Sequence, residues 1–275
     1  MDQESIKRAA EAIAAADGVL IGAGAGMGVD SGLPDFRGDE GFWRAYPPFA
    51  KLGLSFIDMA SPQWFERDPA LAWGFYGHRL NLYRATSPHA GFSILARWAE
   101  GMERGAFVFT SNVDGQFQRA GYTDARVVEC HGSIHHLQCS APCGSAIWDA
   151  AEAEVEVDES SFRAAPPFPS CPRCGEVARP NILMFGDWGW HGERSSTQEA
   201  RLRDWFAEME GGRLVIVECG AGCAVPTVRW QSEQVSARHD ATLIRINPRE
   251  SEGPAGTISI ATGALEALEA IDHHM

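Results

Sequence analysis

Four glycines stand at every second position directly after a short apolar segment near the N-terminus. The apolar segment covers residues 19–21, and the glycines are Gly22, Gly24, Gly26 and Gly28. A strand followed by glycines can cradle a phosphate group, because glycine lets the backbone come close and exposes N–H groups to the anion. A tight turn packed against a helix would use the same glycines. Two common nucleotide motifs are excluded, since positions 22–32 contain no G-x-G-x-x-G and no Gly-Lys-Ser/Thr is present.

Three side chains suited to acid–base or polar chemistry follow strand-like segments. His131 comes just after the segment 126–129, and an imidazole with an unperturbed pKa of about 6.5 can take a hydroxyl proton at neutral pH. Asn112 and Asp114 follow the segment 106–109. Residues of these two types also form Asx turns that cap a following helix. On the residues alone, the chemical and the structural roles both stay open.

The cysteine spacing points to a metal site. Cys139 and Cys143 are spaced C-x3-C, and Cys171 and Cys174 form a C-x2-C pair within the sequence CPRCG. Two such turns can close a tetrahedral thiolate site, whereas a thioredoxin-like pair would open a helix. The remaining cysteines are expected to be packing thiols and are Cys130, Cys219 and Cys223.

Composition restricts the class of protein. The chain has 275 residues, of which 45% are hydrophobic and 22% charged, as is typical of a globular protein. Acidic residues outnumber basic ones by 37 to 23, so a nucleic-acid partner is not expected. No apolar run reaches the roughly 18 residues of a membrane span, and the charged N-terminal segment does not resemble a secretory signal. We therefore expect a cytoplasmic protein without a membrane partner; the sequence gives no indication of oligomeric state.

Strand-like and helical segments alternate along the chain. The strand-like segments cover residues 19–21, 106–109, 126–129, 182–185, 214–218, 242–246 and 258–260. The helical patterns cover residues 3–16, 69–83, 90–98, 198–210 and 226–238. This alternation predicts an α/β fold with a mostly parallel sheet and a functional site at the carboxyl ends of its strands. Two segments interrupt the alternation and are predicted insertions, a Trp-rich one at 38–84 and a cysteine-bearing one at 137–179.

Several blocks of the sequence together resemble the sirtuin family. Residues 22–38 read GAGAGMGVDSGLPDFRG and are similar to the cofactor motif of that family, GAGxSxxSGIPDFRG. Further blocks follow in the family's order and are TSNVD at 110–114, QRAG at 118–121, HGS at 131–133, FGD at 185–187 and INP at 246–248. Because these blocks extend over nearly the whole chain, the resemblance is specific.

The resemblance implies an enzyme that binds NAD, breaks its nicotinamide–ribose bond and transfers the acyl group of an acyl-lysine to ADP-ribose. The partners would then be proteins or peptides that carry acyl-lysine. It also implies a Rossmann-like NAD-binding domain with a smaller domain inserted in it. We expect the first to comprise residues 1–37, 85–136 and 180–275, and the second to comprise the helical insertion 38–84 and the zinc-binding insertion 137–179.

The resemblance assigns roles to individual residues. Asn112 and Asp114 would hold the nicotinamide amide, and His131 would be the base that activates the ribose. The other residues expected at the cofactor are Gly22, Ala23, Gly24, Asp35, Phe36, Arg37, Ser111, Gly220 and Asn247. Sirtuins also carry a structural zinc ion in the insertion that here bears Cys139, Cys143, Cys171 and Cys174.

Two further features concern the substrate. Sirtuins bind an extended peptide by backbone hydrogen bonds, which places Phe185 and Gly186 at the expected peptide site. Tyr76 and Arg79 match a Tyr-x-x-Arg pair of sirtuins that prefer succinyl-, malonyl- or glutaryl-lysine, where a guanidinium can bind the acyl carboxylate through two hydrogen bonds. The alternative is an ordinary amphipathic helix in which Tyr76 is half-buried and Arg79 is solvated.

The chain also departs from the family pattern. Ser111 stands where the family has Gln, and residues 220–222 read GAG where the family has GTS. Two other functions therefore remain open at this point. One is an NAD glycohydrolase or ADP-ribosyltransferase, and the other is a non-catalytic module that senses NAD or ADP-ribose.

Overall fold

A six-stranded parallel sheet forms the larger part of the fold in the computed structural model, which describes residues 2–35 and 38–275. Its strands are β1 (Gly18–Ala23), β2 (Ala106–Thr110), β3 (Val127–Glu129), β9 (Leu214–Cys219), β10 (Thr242–Ile246) and β11 (Ile258–Ile260). Their spatial order is β11-β10-β9-β1-β2-β3, with every neighbouring pair parallel. The order reverses between β1 and β9, as in doubly wound dinucleotide-binding folds, and such a reversal opens a crevice for ligands.

Helices cover both faces of this sheet. They are α1 (Gln3–Ala14), α7 (Ala90–Glu100) and α11 (Ala264–Asp272) on one face, and α9 (Glu193–Glu208) and α10 (Thr227–His239) on the other. Apolar side chains of each helix group pack on the strands in two separate clusters. The strands are buried on both faces, which explains why they read as short runs of Val, Ile and Leu.

A second, smaller sheet is antiparallel. It consists of β5 (Ile147–Asp149), β4 (Gly132–Cys139) and β8 (Ala178–Ile182), in that order, and a short hairpin of β6 (Val157–Asp158) and β7 (Arg163–Ala164) lies nearby in the sequence. The prediction of a parallel strand at 182–185 is wrong, because the strand ends at Ile182 and pairs antiparallel with β4. The sequence of β8, ARPNI, does not have the apolar pattern of a buried strand. Arg179 and Asn181 are polar but buried, with hydrogen-bond partners inside the fold.

The helical insertion packs on this smaller sheet. Its helices are α2 (Gly38–Ala45), α3 (Pro47–Lys51), α4 (Phe56–Met59), α5 (Trp64–Arg67) and α6 (Pro69–Ala85). Helix α6 continues through Gly77. A Cβ atom at this position would lie 2.4 Å from a methyl group of Val155, so glycine allows the cysteine-bearing insertion at 137–179 to pack closely on the helix.

The predicted α/β class is confirmed, with a Rossmann-like parallel sheet, a small cysteine-bearing module and a helical insertion. The division into domains stays a prediction; the sheet pairing favours borders near residues 131 and 183, since β4 and β8 both belong to the antiparallel sheet. One further short helix, α8, covers Gln116–Arg119. Among the helices of the described residues, none is both long and apolar enough to cross a bilayer.

Candidate active site

A cavity of about 730 Å³ lies where the two parts of the fold meet. Its walls include the loops that follow β1, β2 and β9 in the parallel sheet, and the segment that follows β8 in the smaller one. Loops at the carboxyl ends of parallel strands are the expected place for a site in such a fold. The cavity therefore collects residues from segments that are far apart in the chain.

The glycine turn after β1 is packed backbone against backbone on the loop after β9. A Cβ atom on Gly24 would lie 2.6 Å from the Ala221 α-carbon, and one on Gly220 would lie 2.4 Å from the Gly26 α-carbon. Gly220 also has a φ of +64°, a conformation that favours glycine. Both Gly24 and Gly220 line the cavity, so Gly24 and Gly26 allow the close approach of two loops at its wall.

The residues after β2 are bonded to this glycine turn. The Thr110 hydroxyl donates to the Ala23 carbonyl at 2.9 Å, and the Ser111 N–H donates to the same carbonyl at 3.1 Å. The Asn112 side-chain amide donates to the Gly24 carbonyl at 2.9 Å. Ser111 and Asn112 both line the cavity, and the amide oxygen of Asn112 remains to accept a hydrogen bond from a ligand.

Asp114 combines the two roles that the sequence left open. Its Oδ1 accepts a hydrogen bond from the Gln116 N–H at 3.0 Å, which is an Asx turn at the start of α8. The side chain also lines the cavity and is almost fully buried. Burial raises the pKa of Asp114 to about 6, against the opposing effect of the Gln116 N–H. A pKa of about 6 leaves this buried carboxyl group mostly ionised at pH 7.

His131 is fixed through its backbone and its ring. The Leu183 N–H donates to the His131 carbonyl at 2.9 Å, and His131 lines the cavity. Burial lowers the pKa of His131, while a hydrogen bond to the Ser111 carbonyl acts in the opposite direction. The imidazole Nε2 lies 3.3 Å from the Thr227 hydroxyl at the start of α10. The lowered pKa leaves the ring neutral at pH 7, which is the form in which an imidazole can accept a proton.

Helix α9 holds the strand that leads into His131. Arg194 donates to the Glu129 carboxylate at 2.5 Å, and the Glu129 side chain of this ion pair is almost completely buried. Ser195 donates to the Glu129 carbonyl, and the side-chain oxygen of Gln198 accepts the Glu129 N–H. The backbone N–H, the backbone carbonyl and one carboxylate oxygen of Glu129 are thus paired with α9, which fixes the position of the following residues.

The remaining residues expected at the cofactor occupy three kinds of position. Asp35 lines the cavity and lies 3.8 Å from Arg249. Asn247 is buried, donates to the Ala221 carbonyl and accepts from the Glu250 N–H, so it orders two cavity-lining loops. Gly22 and Ala23 lie inside β1. Phe36 and Arg37 lie outside the described residues.

Tyr76 and Arg79 lie together at a buried end of the cavity, on α6. The Arg79 guanidinium lies 5.2 to 5.7 Å from the ring centres of Phe75, Tyr76 and Tyr83. Its Nε donates to the Tyr83 hydroxyl at 3.0 Å. A solvated Arg79 on an amphipathic helix is therefore wrong, because the cation is buried in an aromatic box.

Another part of the cavity wall is formed by the turn after β8. Phe185, Gly186 and Trp188 line the cavity, and Trp188 is 100% exposed. Gly186 has a φ of +66° and open space above its α-carbon, which leaves room for another backbone. This turn is held by Asp187, whose side chain is buried against Arg179. The wall combines an accessible backbone with exposed aromatic side chains.

The four predicted metal ligands lie together away from the cavity. The Sγ atoms of Cys139 and Cys174 are 3.6 Å apart, as are those of Cys143 and Cys171, and all four lie within 4.8 Å of one another. A tetrahedral zinc ion with Zn–S bonds of about 2.3 Å needs S–S edges of about 3.8 Å. The four thiols therefore fit a structural zinc site with no ligand position left for a substrate.

Comparison with known proteins identifies the family. The family model described as "Sir2 family" matches residues 24–202. The chain belongs to the Sir2 family. A relative from Aeropyrum pernix named NAD-dependent protein deacylase is 30% identical over 92% of this chain and 90% of its own length. The NAD-dependent protein deacylase 1 of Pseudomonas aeruginosa is 32% identical over 90% of this chain and 94% of its own length.

Solved Sir2 structures have the same architecture. A mutant Sir2 homologue in complex with ADP-ribose superposes with a TM-score of 0.69 at 25% identity, covering 100% of this chain and 96% of its own. The resemblance stated from the sequence motifs is thereby confirmed at the level of the whole chain.

Three residues at the cavity or next to His131 were not predicted from the sequence. Tyr83 follows Arg79 by four positions on the same helix face, and this spacing would have found it. Thr227 and Glu250 carry no such signal, because loops from distant strands bring them to the site. Cys223 was expected to be a packing thiol, which is wrong: it is exposed and lines the cavity, since the loop after β9 turns it outward.

Proposed function

We propose that this chain is an NAD-dependent protein lysine deacylase that releases nicotinamide and O-acyl-ADP-ribose. The observation that carries the proposal is one cavity that joins the glycine turn at Gly24, the half-buried Asn112, the buried Asp114 and the neutral imidazole of His131. Its relatives named as NAD-dependent protein deacylases match over nearly their full length, which supports the same activity here.

The polar residues suit the first chemical event. Breaking the nicotinamide–ribose bond builds positive charge on the ribose carbon, and a dry site with anionic or carbonyl groups stabilises that charge. Asp114 and Asn112 would hold the carboxamide of nicotinamide by accepting its N–H groups. The glycine turn would receive the pyrophosphate through backbone N–H groups, since the chain comes close there without side chains.

His131 suits the second event. After the acyl oxygen has attacked the ribose carbon, a ribose hydroxyl must lose its proton to become a nucleophile toward the acyl carbon. The neutral imidazole of His131 would take that proton, and burial keeps it unprotonated at neutral pH. The acyl-lysine segment would lie along the wall that carries Phe185 and Gly186, with backbone hydrogen bonds to the turn.

The buried end of the cavity supports a preference for acidic acyl groups. Arg79 lies there as a cation enclosed by Tyr76, Tyr83 and Phe75. A succinyl, malonyl or glutaryl carboxylate that reaches this end would accept hydrogen bonds from the guanidinium and from the Tyr76 hydroxyl. An acetyl group lacks the terminal carboxylate that would pair with this cation. We therefore propose that the chain favours acidic acyl-lysine over acetyl-lysine.

Mass spectrometry of the products tests the activity. The protein is incubated with NAD and a mixture of acetyl-, succinyl-, malonyl- and glutaryl-lysine peptides. We expect free lysine peptide, nicotinamide and O-acyl-ADP-ribose to appear together. NAD loss at the same rate with and without peptide would indicate a glycohydrolase or ADP-ribosyltransferase, and NAD binding without any product would indicate a sensor.

A further inference from the structure

We propose that Thr227 is a positioning residue for His131: its hydroxyl donates to Nε2 and holds the imidazole with its proton on Nδ1. The two residues come from different parts of the fold. His131 follows β3, whereas Thr227 is the first residue of α10, after the cavity-lining loop at 220–225. The contact of 3.3 Å therefore connects the base to the loop on the cofactor side. This inference rests on the proposed role of His131 as the base.

The hydrogen bonds around the ring determine its tautomer. The backbone of Ser111 favours the protonated form of the imidazole, as a carbonyl does when it faces a ring N–H and can only accept from it. Since Nε2 faces Thr227, the N–H that faces Ser111 belongs to Nδ1. Nε2 of the neutral ring is then an acceptor, and the Thr227 hydroxyl is the donor. This is the tautomer in which Nε2 can receive a proton from a substrate hydroxyl.

The length of the contact fits a role in the free enzyme. Hydrogen bonds from a hydroxyl are usually about 2.7 to 2.8 Å long, so 3.3 Å indicates a weak bond. A ribose hydroxyl arriving at Nε2 can replace Thr227 at small cost. Thr227 would thus keep the ring oriented until the substrate hydroxyl takes over its place.

A donor to Nε2 also affects the titration of the ring. A hydrogen bond to the neutral form of a base favours that form and lowers its pKa. Removing the hydroxyl should therefore raise the pKa of His131. The substitution does not replace any other ionisable side chain near the ring. These side chains are Asp35, Arg79, Asp114, Asp187, Cys223 and Glu250 around the cavity, and the Glu129–Arg194 pair between β3 and α9.

Thr227→Val and Thr227→Ser form a matched pair for the test. Valine keeps the shape and removes the hydroxyl, whereas serine keeps the hydroxyl; both keep the start of α10 and its dipole. The titration of His131 is followed by NMR in the metal-loaded protein without NAD or peptide, with its resonance identified by its loss in His131→Gln. If Thr227→Val lowers the Tm by more than a few degrees, Thr227→Ala is titrated in its place.

We expect Thr227→Val to raise the midpoint of the His131 titration by roughly 0.5 to 1 in pH, with Thr227→Ser close to the parent. The acid limb of kcat/KM for NAD, which reports the free enzyme, should move by the same amount. Equal midpoints in the parent and Thr227→Val would overturn the proposal, as would a serine variant that behaves like valine. A parent protein that removes no acyl group would refute the proposed function instead, and the NMR titration would still decide on the hydrogen bond.

Discussion

Arg179 and Asp187 form a buried, bidentate ion pair across the turn that contains Phe185 and Gly186. The two N–O distances are 2.7 and 2.9 Å, and both side chains are almost completely excluded from solvent. The Asp187 carboxylate also accepts the Gly189 N–H at 3.1 Å. The pair therefore fixes the backbone of the turn rather than contributing a group to the chemistry.

Loss of this pair should affect the peptide substrate more than NAD. Removing Asp187 alone leaves Arg179 buried without its carboxylate, which costs about 3 to 5 kcal/mol of stability. The double substitution Arg179→Met with Asp187→Leu leaves no unpaired charge in the interior, but it removes the hydrogen bonds that fix the backbone of the turn. We expect the double variant to have a higher KM for peptide and an unchanged KM for NAD. The exposed Asp158→Ala serves as the control, and an equal rise in both KM values would show that the turn has no specific role in peptide binding.

Asp114→Asn should separate stability from function. Folding raises the pKa of the Asp114 carboxyl group from 3.8 to about 6. Ionisation of this group therefore destabilises the folded state, increasingly as the pH rises from about 3.8 to about 6 and fully above that range. At pH 7 the penalty is on the order of 2 to 3 kcal/mol, and asparagine removes it while its Oδ1 can still accept the Gln116 N–H. We expect a higher Tm at pH 7, little change at pH 4, and a lower kcat/KM for NAD. Asp124→Asn, an exposed change, is the control; unchanged NAD kinetics in Asp114→Asn would contradict the role of the carboxylate.

The four-cysteine cluster should hold one zinc ion per chain. Structural zinc sites contribute folding energy directly, so loss of one ligand should strongly lower the stability of the module. We expect Cys171→Ser to lose zinc and to unfold or aggregate, whereas Cys223→Ser keeps its zinc, because Cys223 lies at the cavity. Elemental analysis of freshly purified protein measures the content. Far less than one zinc per parent chain would refute the site.

Arg79→Met should change the choice of acyl group. The parent is expected to have a higher kcat/KM for succinyl-lysine than for acetyl-lysine, because the guanidinium lies at the buried end of the cavity. Losing a charge-assisted hydrogen bond costs about 1.5 to 3 kcal/mol, so succinyl activity should fall roughly 10- to 150-fold while acetyl activity changes little. Arg67→Met removes an exposed arginine on α5 and is the control. A preference for acetyl in the parent, or an equal loss for both substrates, would exclude carboxylate recognition by Arg79.

Regular patterns in the sequence predicted most of the fold. The parallel strands β10 and β11 have the predicted bounds, because isoleucine and leucine fill most of their positions, although β10 also contains the buried Arg245. Strand β8 was missed for the opposite reason, since its buried Arg179 and Asn181 are stabilised by partners that only the folded chain supplies. Pairing of this kind has no local signature.

The site was predictable where chemistry imposes a fixed spacing. The cysteine pairs and the Tyr76–Arg79 pair each lie within one turn or one helix, and the structure brings both sets together as expected. Thr227 was not predictable, because its contact with His131 depends on how the loop after β9 meets the segment after β3. The placement of Asn247 under the Ala221 carbonyl likewise follows from loop packing rather than from the motif.

The most direct test of deacylation is the ratio of nicotinamide released to lysine peptide deacylated, followed over time with succinyl-peptide and NAD. We expect a ratio of one in the parent, and the loss of peptide deacylation in His131→Ala at an unchanged Tm, because the base would be absent while the fold remains. Nicotinamide release far in excess of deacylated peptide, or full deacylation by His131→Ala, would contradict the account.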